Sequence, residues 1–217
     1  MRLDLLGGTF NPIHLGHLRA AVEVREAFNL DKVFLIPSAS PPHKDPKEIP
    51  AAEDRLEMVR LAVRNQPALE ASAVELSRPG PSYTIDTLQW FHHRFGPDCS
   101  VHFIIGFDAF SEIATWKDYQ ALFATARFIV TARSGTQLQD LQGIIDTHVS
   151  PAYEYDQADR TFRHPDWLPI SSTAVTRFDI SGTQIRNCIA ARRSIAFLVP
   201  RSVADYIYGR KLYLDET

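Results

Sequence analysis

Leu3-Asp4-Leu5-Leu6-Gly7-Gly8-Thr9-Phe10-Asn11-Pro12-Ile13-His14-Leu15-Gly16-His17 is the stretch on which the reading of this 217-residue chain turns. Leu3, Leu5 and Leu6 predict a short first strand, because a brief apolar run bounded by glycines suits a buried strand. Gly7 and Gly8 predict a sharp turn after it and a close approach of backbone to ligand. From about His14 the pattern becomes helical, with Leu18, Ala21, Val22 and Phe28 near one face and Glu23 and Arg25 left for solvent. The first turn of that helix therefore carries His14 and His17, three residues apart and on one side. A helix N-terminus presents unpaired N–H groups and the positive end of the macrodipole, so a phosphate bound there also meets both imidazoles. H-x-x-H alone reads as a helix cap with a packed ring. Preceded by this strand and turn, it reads as a site that stabilises charge on a transferred phosphoryl or nucleotidyl group. The stretch matches neither the Walker pattern nor the dinucleotide G-x-G-x-x-G fingerprint.

Working outward, strand-like runs alternate with helical patterns. Val33 to Ile36, Ala71 to Leu76, Val101 to Ile105 and Phe128 to Thr131 read as strands. Helices are expected around Asp54 to Arg64, Ile85 to Phe95 and Trp116 to Ala124. Such a βαβ series predicts an α/β fold, a Rossmann-like doubly wound parallel sheet with helices on both faces. Ligands then bind beyond the carboxyl ends of the strands, where Gly7, Gly8, Ser38 and Gly106 fall. Residues 140–175 mix Pro151, Pro165 and Pro169 with aromatics and charges and receive no assignment. A last helix is expected from about Arg201 to Tyr208, introduced by Pro200.

Composition bounds the class. At 45% hydrophobic and 23% charged, 217 residues bury a substantial core, and one domain over 1–217 is expected, with a small C-terminal helical part from about 181. A net charge of -3 gives no broad footprint for nucleic acid. Cys99 and Cys188 have no metal-ligand or C-x-x-C spacing, and no apolar run reaches the length that spans a bilayer. Met1-Arg2 leads directly into a strand without a signal-like region, so a cytoplasmic, membrane-free protein is expected. Monomer and homo-oligomer both stay open.

Four further segments carry chemistry. Ile180-Ser181-Gly182-Thr183-Gln184-Ile185-Arg186 places Ser181 or Thr183 as cap of a helix running to about Arg193, with the Arg186 guanidinium on its early turns as a phosphate clamp. Pro37-Ser38-Ala39-Ser40-Pro41-Pro42-His43-Lys44 is a proline-stiffened loop carrying a cation. Tyr83-Thr84-Ile85-Asp86-Thr87-Leu88 opens a helix, and Phe103-Ile104-Ile105-Gly106-Phe107-Asp108-Ala109-Phe110, with Trp116 beyond, reads as buried strand, glycine turn and helix start.

His14-Leu15-Gly16-His17 and Ile180 to Arg186 together resemble the H-x-G-H nucleotidyltransferase superfamily. With P-P-H-K, Y-T-I-D-T-L and I-G-x-D-A…W in this order, residues 7 to 186 look like the bacterial nicotinate-nucleotide adenylyltransferases. The resemblance implies a reaction of ATP with nicotinate mononucleotide that yields nicotinate adenine dinucleotide and pyrophosphate. It implies His17, His14 and Arg186 in catalysis, and ATP contacts from Gly7, Gly8, Thr9, Phe10, His14, His17, Gly106, Asp108, Arg133, Ser181, Thr183 and Arg186. It assigns the pyridine nucleotide to Ser38, Pro42, His43, Lys44, Thr84 and Trp116, and Mg²⁺ to the ATP phosphates with no protein side chain as metal ligand. Asn11 stands where Asp is frequent in that family, Gly182 where a second Ser is common, and Phe107 at a variable position. Alternatives within the superfamily use nicotinamide mononucleotide or phosphopantetheine. A nucleotide-binding regulatory protein and a tRNA-charging enzyme are the readings from other classes. Discrimination of acid from amide through backbone N–H groups leaves no trace in a sequence.

Overall fold

The computed structural model describes residues 1–41, 49–132 and 138–214. Its eight strands are β1 (Arg2–Gly8), β2 (Lys32–Pro37), β3 (Leu69–Ala71), β4 (Ser100–Gly106), β5 (Arg127–Ala132), β6 (Glu154–Asp156), β7 (Thr161–Arg163) and β8 (Ile170–Ala174), in the order β3-β2-β1-β4-β5-β8-β7-β6. The run from β3 to β8 is parallel throughout, with Leu5 beside Phe34 on one side and Phe103 on the other. The expected doubly wound sheet is present, with an addition at one edge: β7 pairs antiparallel to β8, and β6 antiparallel to β7. Both come from the stretch left unassigned, where three-residue strands are too short to show a period.

Alternation along the strands feeds two cores. Leu3, Leu5, Val101, Phe103, Ile105, Phe128 and Val130 pack on one face with Ile85, Leu88 and Phe91 of α3 (Thr84–Phe95) and Leu122 and Phe123 of the helix Tyr119–Thr125. Val33, Leu35, Ile104 and Ile129 face the other way. They meet α1 (Leu15–Ala27) through Ala21 and Val24 and α2 (Ala52–Val63) through Met58, Val59 and Val63. Each fully buried side chain such as Phe128 contributes about 1.5–3 kcal/mol, so helices on both faces follow from a sheet apolar on both.

Chain order reverses between β1 and β4, which makes their carboxyl ends the crevice of the fold. The helix Gly182–Ala190 and the last helix, Arg201–Gly209, return to the α1 and α2 side, burying Ile185, Ile189, Val203 and Ile207. Tyr206 donates to Asp54 of α2 at 2.7 Å.

Three local expectations differ. Gly7 and Gly8 remain in β1, and the backbone turns instead at Phe10, whose φ is +47°. The strand expected over Ala71 to Leu76 ends at Ala71, because Ser72 and Ser77 hydroxyls bond the backbone of Val74 and divert the chain into turns. The helix expected to reach Arg193 stops at Ala190, ahead of a left-handed Arg192 with φ +52°.

A candidate nucleotidyl-transfer site at the sheet crossover

Two cavities of about 590 Å³ each open over the ends of β1 and β4, sharing Leu6, Gly7, Ile104 and Gly106 as a common floor. A Cβ on Gly106 would meet nothing of the protein, so its bareness leaves space for a ligand rather than for a neighbour.

The second cavity carries His14, Gly16, His17 and Ala20 from α1, Phe107 and Asp108 from the helix Phe107–Ser111, Thr131 and Ala132 from β5, and the segment from Val175 to Ser181. The rings of His14 and His17 stack at 3.7 Å, and Phe10 presents its edge to His17 at 5.1 Å. A Cβ on Gly16 would stand 3.1 Å from His14 Nδ1, tight enough that the stacked ring would have to give by a few tenths of an ångström. The His14 N–H donates to His17 Nδ1 at 3.3 Å, which leaves the proton of a neutral His17 on Nε2, the nitrogen available to a ligand. Burial pushes His14 down to about 4; burial, with a smaller push from His14, takes His17 to about 3, so both rings are neutral donors at pH 7. His14 Nδ1 is buried without a hydrogen-bond partner among the described residues.

The loop between β1 and α1 is held from the far end of the chain. Arg186 Nη1 donates to the Asn11 carbonyl at 2.8 Å and Nη2 to Thr183 Oγ1 at 3.2 Å. Ser181 caps its helix, accepting from the Gln184 N–H at 3.1 Å. Gly182 lies so close that a Cβ there would be 2.6 Å from the Asn11 carbonyl oxygen, a contact reason for glycine at a position where the family often has serine. The Leu15 N–H, first of α1, donates to the Leu198 carbonyl at 3.0 Å. Glu23, expected to face solvent, instead accepts the Thr176 N–H at 2.6 Å and its hydroxyl, fixing the wall from Val175 to Ser181 to α1.

The first cavity is bounded by Gly8, Thr9, Ser38 and Pro41 on one side and by Tyr83, Thr84, Thr115, Trp116 and Lys117 on the other. Thr84 opens α3 at this wall, and Trp116 stands edge-on to Phe103 at 6.1 Å. Buried Ser38 Oγ and Glu75 Oε2 also lack partners among the described residues. Thr87 donates to Glu75 Oε1 at 2.8 Å, and burial raises the Glu75 carboxyl from its ordinary range.

Most expected site residues therefore gather at one crevice, with a redistribution. Gly8 and Thr9 line the cavity of Ser38, Thr84 and Trp116 rather than that of the histidines. Phe10 is buried beneath His17, and Thr183 and Arg186 brace the loop from outside both linings. Pro42, His43, Lys44 and Arg133 lie outside the described residues.

Sequence reasoning missed Arg55, whose Nη1, Nε and Nη2 donate to the carbonyls of Thr9 at 2.8 Å, Pro50 at 3.1 Å and Ala39 at 3.3 Å. It is only 1% exposed. The missed signal was an arginine on the apolar stripe of α2, four residues before Val59. Among the described residues no group of three or more His, Cys, Asp or Glu is disposed to hold a metal, and no helix is long and apolar enough to cross a membrane.

The cytidylyltransferase-like family matches residues 5–187. A protein of Desulfatibacillum aliphaticivorans named as a probable nicotinate-nucleotide adenylyltransferase is 45% identical over 99% of this chain and 100% of its own. One of Geobacter metallireducens with the same name is 43% identical over 100% of both. In fold, the chain is similar to Plasmodium falciparum nicotinic acid mononucleotide adenylyltransferase complexed with NaAD, with a TM-score of 0.74 at 16% identity over 98% of this chain and 97% of that one. A cavity pair at the sheet crossover, a stacked H-x-G-H pair and full-length relatives converge, and the chain belongs to the cytidylyltransferase-like family and, within it, to the nicotinate-nucleotide adenylyltransferases.

Proposed function

We propose that this chain transfers the adenylyl group of ATP to nicotinate mononucleotide, giving nicotinate adenine dinucleotide and pyrophosphate. The observation that carries the reading is the meeting of two cavities over Gly7 and Gly106, beside a neutral histidine pair. A phosphate oxygen of the mononucleotide bonds the α-phosphorus of ATP, and the bond from that phosphorus to the β-bridging oxygen breaks. The attacking phosphate is already ionised near neutral pH, so no general base is needed and alignment with charge stabilisation does the chemistry.

His17, through Nε2–H, and His14 donate to the phosphates, with His17 at the reacting one. Gly106 lets the nucleotide approach the backbone, and Asp108 accepts from ribose hydroxyls. Ser181, Thr183 and Arg186 hold the departing phosphates or the loop that frames them. Ser38, Thr84 and Trp116 receive the pyridine nucleotide, Trp116 offering its ring as an aromatic surface. Mg²⁺, carried on the triphosphate oxygens, would neutralise charge there. The free thiols Cys99 and Cys188 suit a reducing compartment, and we place the protein in the cytoplasm.

Purified protein with ATP and Mg²⁺ is expected to release pyrophosphate on addition of nicotinate mononucleotide, with kcat/KM above that for nicotinamide mononucleotide or phosphopantetheine. A preference for either competitor overturns the substrate assignment. Absence of turnover with all three overturns the reaction.

A further inference from the structure

Lys117 is the only cationic side chain among the described residues lining the first cavity, and it directly follows Trp116. Its Nζ stands 4.6 Å above the centre of the Tyr83 ring and 3.4 and 3.5 Å from the two Asp86 carboxylate oxygens. Charge-assisted bonds to carboxylate normally close to about 2.7–2.9 Å, so Asp86 steadies the ammonium without saturating its three donors. Asp86 itself is not part of the cavity wall, whose acidic and basic side chains are Glu75 and Lys117.

The proposed reaction orients the ligand. Its 5′-phosphate must lie over Gly7 and Gly106, where the two cavities meet beside His17, because the bond to ATP forms there. The ring then extends away from that junction into the part walled by Phe103, Tyr83 and Trp116, the aromatic portion of the cavity. The acid and amide forms of this ligand share ribose, phosphate and ring. They differ in one group, an ionised carboxylate against a neutral carboxamide. N–H groups at the start of α3 serve a carbonyl oxygen of either form, whereas an ammonium attracts the carboxylate and meets the NH₂ of the amide donor to donor.

We propose that the Lys117 ammonium reads the ring carboxylate and is a specificity-determining group that separates the acid mononucleotide from its amide. The proposal rests on the adenylyl-transfer reading above. Glu75 does not cancel the effect: Thr87 occupies its Oε1, and burial disfavours its charged form. The Lys117 and Asp86 side chains are 42% and 39% exposed, so screening limits the discrimination to about tenfold, below that of a fully buried pair.

The test compares kcat/KM for nicotinate mononucleotide and nicotinamide mononucleotide in the unaltered protein, Lys117→Gln and Lys117→Arg, with pyrophosphate release as readout. Lys117→Gln is expected to lower the acid-to-amide ratio about tenfold with KM for ATP unchanged, and Lys117→Arg to keep at least half of the original ratio. An unchanged ratio in Lys117→Gln, an equal loss for both substrates, or a Lys117→Arg ratio as low as that of the glutamine variant overturns the proposal. Turnover of the acid by the unaltered protein checks the underlying reaction separately: its absence refutes adenylyl transfer, whereas its presence with an unmoved ratio refutes only the role of Lys117.

Discussion

Replacing Arg55 by Met removes a buried guanidinium while nearly preserving volume, and it strikes the rim of the first cavity from a position that lines neither cavity. Three carbonyls lose a donor: Thr9 at 2.8 Å, Pro50 at 3.1 Å and Ala39 at 3.3 Å. Bonds to a charged donor contribute roughly 1.5–3 kcal/mol each, so the two shorter ones alone represent about 3–6 kcal/mol. Burying the guanidinium costs several kcal/mol in return, and Ala39 and Pro50 are open enough for water to replace part of what they lose. The net expected loss is therefore about 2–4 kcal/mol of unfolding free energy, read from the urea midpoint at unchanged slope. Because Thr9 lines the first cavity and Ala39 follows Ser38 there, KM for the pyridine nucleotide should rise severalfold while KM for ATP moves less. Lys in place of Arg reaches one carbonyl at a time and should recover less than half of the stability. A loss below about 1 kcal/mol in Arg55→Met, or an equal rise in both KM values, refutes the claim that this side chain organises the pyridine rim.

In the proposed reaction His17 donates where charge develops, so in His17→Ala kcat is expected to fall about 100- to 1,000-fold with ATP affinity changed only severalfold; an unchanged kcat removes His17 from the chemistry. Acid should destabilise the fold through its buried histidines. His14, His17 and His102 lie at about 4, 3 and 4, below the unfolded value of 6.5, so the unfolded chain binds more protons between these limits. Their contribution is fully present above pH 6.5 and is lost as pH falls toward 4, by up to about 1.4 kcal/mol per pH unit for each ring. Melting temperature measured from pH 7 to 5 should drop, and His102→Gln should flatten the decline; equal slopes in the two proteins contradict the assignment.

The topology was legible because its signals are local. Leu3 to Leu6, Val33 to Ile36 and Val101 to Ile105 are apolar runs of strand length, and the helices between them carry a clear period. The histidine pair was legible for the same reason, since spacing on one helical turn decides which side chains share a side. What escaped depends on contacts between distant segments. The turn falls at Phe10, whose ring packs on His17 and lies where a Cβ on Gly8 would stand 3.3 Å from it. The bond from Glu23 to Thr176 and the contact of Gly182 with Asn11 have no local signature, and neither does the charge that Lys117 turns toward an aromatic wall. Turn-forming serines defeated the strand expected beyond Ala71, because a hydroxyl bonded to nearby backbone competes with a ladder.

The two cavities also differ in how far along the chain their walls are drawn. Every described residue of the first lies at or before Lys117, whereas the second is incomplete until Ser181, and its histidine loop is braced by Arg186 across 175 residues. Closing so long a loop costs more chain entropy than the contacts around β1, β2 and α3, so the first cavity has the lower contact order. During synthesis from the N-terminus, the first cavity has all its described parts once Lys117 has emerged. The second cavity waits for Arg186 and Leu198, so its histidine loop is braced only after the segment that carries them has emerged.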